Sequence, residues 1–176
     1  MELLEFTHGE EPIKNRELFG LLGEYIASPA IRETLGGVIS SEPGRRWFVM
    51  MEDGTRIVAF GSMRRRRTAA CLLHLYALEG EADIPILERC IQEARETGAA
   101  RLVTADYWTR RELYFRYGFS SVCKVGRFVR FKKEFEHDIQ KPRAERLLPR
   151  PLRLFCKRKI LSGNKHLSVF PRCCAL

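Results

Sequence analysis

The stretch TRRELYFRYGF, Thr109 to Phe119, sets Tyr114 four residues before a Gly-Phe pair on what reads as a short amphipathic helix. A phenol so placed either packs as an aromatic that hydrogen-bonds a backbone group or serves as a proton donor, and a positioned acid is worth about 10²–10⁴-fold in rate. Two carboxylates suit the complementary base. Glu79 closes one apolar run and Asp106 follows another, and ligands of open α/β sheets collect at the C-terminal ends of strands. His74 alternates within the first of these runs and reads as a satisfied core residue. Six cysteines without a C-x-x-C pair and four scattered histidines signal neither a zinc site nor a disulfide framework, so no metal is expected. Cys71 and Cys90 are expected as small buried hydrophobes.

Those candidates need elements to hold them. Leu18, Leu21, Leu22, Tyr25 and Ile26 share a helical face, with Asn15 available as N-cap. Ser28-Pro29 can restart a helix that Gly36-Gly37 ends, so two short helices are expected to come first. In RWFVMMEDGTRIVAFGSMR, Arg46 to Arg64, two apolar runs flank Asp53-Gly54, the two-residue loop of a type I′ hairpin. The run Ala69 to Leu78 is almost continuously apolar, as a central strand covered on both faces requires. An amphipathic helix follows, opened by Asp83 as N-cap and Pro85 and stopped at Gly98. The segment RLVTA predicts a strand, Thr109-x-x-Glu112 a capping box, and Ser120 to Phe135 two closing strands around Gly126. This order predicts an α/β (α+β) fold, a mixed sheet flanked by helices.

The chain has 176 residues, 45% of them apolar, and a net charge of +9. Residues 141–176 hold ten Lys or Arg and one acid, which leaves 21 basic and 21 acidic residues before them. A globular domain over 1–138 and a basic, proline-containing tail over 139–176 are therefore expected, with a short helix possible around Leu152 to Ile160. No run of eighteen apolar residues and no signal-like N-terminus is present, so a soluble cytoplasmic protein is expected. The tail suits an acidic partner or a nucleic acid. Its last residues, Cys173-Cys174-Ala175-Leu176, match C-a-a-X, which would bring the chain to a membrane by prenylation in a eukaryotic cell.

Over roughly residues 10–135 the chain resembles the GNAT (N-acetyltransferase) superfamily. The element order fits, MMEDGTRIVAFGSMR looks like that family's second and third strands, and RRELYFRYGF is similar to its A-x-x-L-Y-x-x-x-G-F segment. The resemblance implies acetyl-CoA or another acyl thioester as donor, an amine as acceptor, and Tyr114 as the acid that protonates the departing thiolate, with Glu79 or Asp106 as base. It places the cofactor at Tyr76, Leu78, Gly80 and Ala82. One hallmark departs from the pattern. Where the family carries Q/R-x-x-G-x-G/A, this chain has LEGEADIP, whose Glu79, Glu81 and Asp83 lie where a pyrophosphate belongs. A carboxylate about 5 Å from a phosphate costs about 1–3 kcal/mol. Arg64 to Arg67 are the nearest basic run that could compensate. Three readings follow: a GNAT-type acyltransferase, a GNAT-fold binding module without coenzyme A chemistry, and an acyltransferase drawing on an acyl carrier protein or an aminoacyl-tRNA.

Overall fold

The computed structural model describes residues 1–135. The boundary at 138/139, the basic tail, the helix around Leu152 to Ile160 and the CCAL terminus lie outside the described residues. Within them a seven-stranded sheet carries helices on both faces. In chain order the elements are β1 (Glu2–Thr7), α1 (Pro12–Ala27), α2 (Pro29–Thr34), β2 (Arg46–Glu52), β3 (Arg56–Arg65), β4 (Ala69–Ala77), α3 (Ile84–Glu96), β5 (Arg101–Tyr107), a 3₁₀ turn (Trp108–Arg110), α4 (Arg111–Arg116), β6 (Ser120–Val125) and β7 (Phe128–Glu134). The strand order is β1-β2-β3-β4-β5-β7-β6, with only β4 and β5 parallel, so the sheet is mixed and β4 lies at its centre. Among the described residues no helix is long and apolar enough to cross a membrane.

Strand alternation sorts the core into two clusters. Trp47, Val49 and Met51 of β2 meet Leu18 and Leu22 of α1 on one face. Phe48 and Met50 turn to the other, where Ile86, Leu87 and Cys90 of α3 and Tyr114 of α4 pack. Each fully buried side chain of this size contributes about 1.5–3 kcal/mol. Cys90 is buried as expected, and burial pushes its thiol pKa up, whereas Cys71 is only half-buried.

Several local expectations are corrected. A strand, β1, precedes the helices, and α1 is a full 16-residue helix. It begins at Pro12 after Glu11, so Asn15 is not its cap; the Asn15 side chain accepts instead from the Gly9 amide at 3.1 Å. Asp53 and Gly54 both take positive φ, and Thr55 N–H donates to Glu52 O as a type I′ turn requires, but Glu52 pairs with Arg56, so the loop has three residues. Ser28 caps α2 through the Ile31 amide, as predicted. The Asp83 side chain makes no cap bond to α3, and Thr109 lies inside the 3₁₀ turn, so no capping box forms. The Asp83 carboxylate is drawn into an ion pair with Arg110, while Glu112 reaches only its neighbour Arg111.

Candidate functional site

β4 and β5 pair through only three residues each, Ala69–Cys71 with Arg101–Val103, and then separate. The cause lies one strand away. Phe60 pairs with Tyr76 but Ser62 with Leu73, so Gly61 of β3 faces two residues of β4, His74 and Leu75. His74 takes φ +56° at this bulge, a left-handed conformation that is uncommon in a non-glycine residue. Gly61 is required there, because a Cβ would lie 2.9 Å from Ile86 Cγ2 and 3.2 Å from Leu75 Cδ1. The bulge and the close approach of α3 together direct the C-terminal half of β4 away from β5.

Between the separated strands lies a narrow cavity of about 30 Å³. β4 contributes His74 and Leu75, β5 Thr104 and Asp106, and α4 Tyr114, while Thr34, Leu35 and Phe128 roof it. Water needs at least about 10–15 Å³ of such volume, so the space suits one or two waters and no larger group.

Tyr114 and Asp106 are brought together. The Tyr114 hydroxyl donates to Asp106 Oδ2 at 2.7 Å, and its ring stacks on Phe131 with centroids 4.6 Å apart. The expected packing role thus coexists with a bond to a carboxylate instead of a backbone group. Asp106 also accepts from the Tyr107 amide at 2.7 Å and from Arg110 Nη1 at 3.0 Å. Arg110 Nη2 donates to Asp83 Oδ2, and Asp83 is buried. One guanidinium therefore serves two carboxylates. Burial raises the Asp106 pKa, with Arg110 opposing. Burial, then the Asp106 charge, raises that of Tyr114 well above 10, so its hydroxyl stays protonated at neutral pH.

Glu79 is not part of this group. It is exposed and paired with Arg56 of β3, whose hydrogen bond and charge lower its pKa and make it a weak base. Each acid of the LEGEADIP loop has an arginine: Arg56 for Glu79, Arg116 for Glu81 at 3.8 Å, and Arg110 for Asp83. The compensation does not come from Arg64–Arg67, which sit at the β3–β4 turn, the opposite end of β4. Of the residues expected along a cofactor, Tyr76 lays its ring on Phe60, 5.5 Å between centroids, on the α1 face. Leu78 N–H donates to Val58 O, Gly80 takes φ +51°, and Ala82 packs on the core beneath α3. His74, expected as core, stacks on Trp47 at 5.9 Å and also lines the cavity. Burial, then the Arg45 charge, lowers its pKa to about 4.

Arg110 and Thr104 were not singled out by sequence. Arg110 stands midway between Asp106 and Tyr114, four residues from each, a spacing that is a usable signal only once both ends are suspected. Among the described residues no group of three or more His, Cys, Asp or Glu could hold a metal.

No protein-family model and no curated protein sequence matches the chain. Solved structures do. An acyl-CoA N-acyltransferase from Pseudomonas aeruginosa is 15% identical with a TM-score of 0.56, over 75% of this chain and 98% of that one. A GNAT-family acetyltransferase from Staphylococcus aureus Mu50 is 11% identical with a TM-score of 0.56, over 77% and 100%. The PaiA N-acetyltransferase from Thermoplasma acidophilum, solved in complex with coenzyme A, is 14% identical with a TM-score of 0.56, over 77% and 100%. With the mixed seven-stranded sheet, the parallel pair that separates at its end and the helices on both faces, these likenesses give this chain the GNAT fold.

Proposed function

We propose that this protein moves an acyl group, acetyl in the simplest case, from a thioester donor to an amine. The observation that carries the reading is the Tyr114–Asp106 hydrogen bond at the point where β4 and β5 part. An amine attacking a thioester carbonyl must lose a proton, and the C–S bond that breaks leaves a thiolate that must gain one. Asp106, with its pKa raised by burial, takes the amine proton. Tyr114, held protonated, gives its own to the sulfur. Transfer from Asp106 to the phenolate across the 2.7 Å bond restores both groups, and the protons balance. Arg110 holds the carboxylate in place.

The thioester end of a donor fits the open strand pair, provided the roof formed by Leu35 and Phe128 moves, because about 30 Å³ holds no acyl thioester. The far end of coenzyme A fits less well. The Ala82 and Ile84 amides are spent inside the loop, on Glu79 O at 3.2 Å and Glu81 O at 3.0 Å, and Glu79 and Glu81 face solvent. This favours, as a second reading, a GNAT-fold binding module that does not use coenzyme A. The amine acceptor carries no named identity in either reading.

Thermal unfolding with and without acetyl-CoA separates the two. At 100 times its dissociation constant a ligand stabilises by about 2.7 kcal/mol, several degrees for a domain of this size. A rise in Tm with acetyl-CoA, and release of free thiol when amines are added, supports acyl transfer. No shift and no thiol release supports the binding module.

A further inference from the structure

We infer that the face formed by β6 and the 3₁₀ turn is a binding groove for single-stranded nucleic acid, independent of whether the cavity transfers acyl groups. β6 is an edge strand and all six of its residues are exposed. Beside it opens a groove of about 650 Å³, within the range of small-ligand sites. Its charged lining residues are Lys124 and Arg127, both cations. Trp108 and Val122 give it an apolar wall.

Trp108 is the unusual element. A large indole is 47% exposed, whereas Trp47 is fully buried. Arg111 lies against its ring at 5.1 Å and Phe115 meets it edge-on at 6.2 Å, so the indole is braced in an open position. A fixed aromatic beside cations is what stacking of an unpaired base requires, since every base offers a π-face and every linkage a phosphate. A duplex keeps its bases stacked inside and offers no base to Trp108.

Charge along the chain points the same way. Residues 1–107 hold 13 basic and 17 acidic residues, whereas residues 108–135 hold eight and two. The domain is acidic over most of its length and strongly basic over α4, β6 and β7. Arg111 is paired with its exposed neighbour Glu112 at 3.3 Å, a weak and exchangeable pair. Arg127 is paired with Glu33 at 3.8 Å, donates to Glu33 O and lies over the Phe128 ring, which fixes its charge beside the groove. Among the described residues Lys124 has no acidic partner within 4 Å.

The test uses the full-length chain and a short oligothymidylate at low salt, with tryptophan fluorescence as the readout. Because the protein has two tryptophans and Trp47 is buried, quenching on binding reports Trp108. The proposal expects quenching by the oligonucleotide, a loss of affinity of about 5- to 150-fold in Trp108→Ala, and retention of most of it in Trp108→Phe. Lys124→Gln should lower the slope of log affinity against log salt by about 0.7. Binding without quenching and with unchanged affinity in Trp108→Ala would overturn the proposal, placing the contact on other basic residues. Equal quenching by heparin or by duplex of the same length would overturn it too, because neither offers an unpaired base.

Discussion

Two networks of acids and arginines are built into this domain, and their charges are arranged differently. In the first, Arg46 reaches Glu5 and Glu93 at 2.5 Å each, and Arg89 reaches the same two acids at 2.6 and 3.1 Å. Two cations and two carboxylates close a ring that clamps β1, β2 and α3 together. In the second, Arg110 alone bridges Asp83 and Asp106, and the chain of bonds ends on the Tyr114 hydroxyl beside the cavity. The first is redundant, because Glu5 and Glu93 each have two arginines, and Arg89 also reaches the exposed Glu96 at 3.5 Å. The second has one cation for two carboxylates, so burial is only partly offset and the Asp106 pKa rises. Buried charge alone therefore does not single out a candidate site; the second network differs in ending on a hydroxyl beside a cavity.

Removing one arginine from each network tests that contrast most strongly. Arg110→Met strands two buried carboxylates and should cost about 3–5 kcal/mol in urea unfolding. Arg46→Met leaves Glu93 with Arg89 and should cost about 1–2 kcal/mol. Equal losses would mean that the two arginines are equally replaceable.

The cavity network should also be the more acid-sensitive of the two. His74 lines the same cavity, and its pKa is lowered from 6.5 to about 4. The folded state thus resists a proton that the unfolded chain accepts, so this contribution is complete above pH 6.5 and is lost as pH falls towards 4, about 3 kcal/mol in all. His74→Asn keeps a residue that tolerates the positive φ and removes the titration. Its stability should fall less than that of the wild type between pH 6.5 and 4.

The fold was largely legible where information is local. The Asp53-Gly54 turn, the Ser28 cap, the apolar run of β4 and the face of α3 each rest on a few neighbouring residues. β1 was not, because Leu3 and Leu4 are both half-buried on an edge strand and give no period-two pattern. Tyr114 and Asp106 could be named as candidates, since one stands in a motif and the other at a strand end. Their shared bond could not, nor could Arg110, whose partner Asp83 is 27 residues away. Glu79 had the same local credentials as Asp106 and differs only in facing Arg56 and solvent. The bulge at His74 was hidden because it answers to Gly61 across the sheet.

A smaller effect concerns the roof. Gly36 takes φ +80°, and a Cβ there would lie 2.5 Å from the Phe128 ring, while Arg127 Nη2 donates to Glu33 O beside it. Gly36→Ala should cost about 1–2 kcal/mol in urea unfolding and displace Leu35 from the cavity. An unchanged midpoint would mean that the roof is not tightly packed.

The proposed acyl transfer rests on the Tyr114 hydroxyl, bonded to Asp106, as its proton donor. Thiol release from acetyl-CoA in the presence of an accepted amine, compared between the wild type and Tyr114→Phe, tests it most directly. The ring's stacking on Phe131 survives in the variant, so the fold should be kept. Turnover should fall about 10²-fold with little change in KM. Equal turnover in a folded Tyr114→Phe variant would contradict it and return Tyr114 to packing alone.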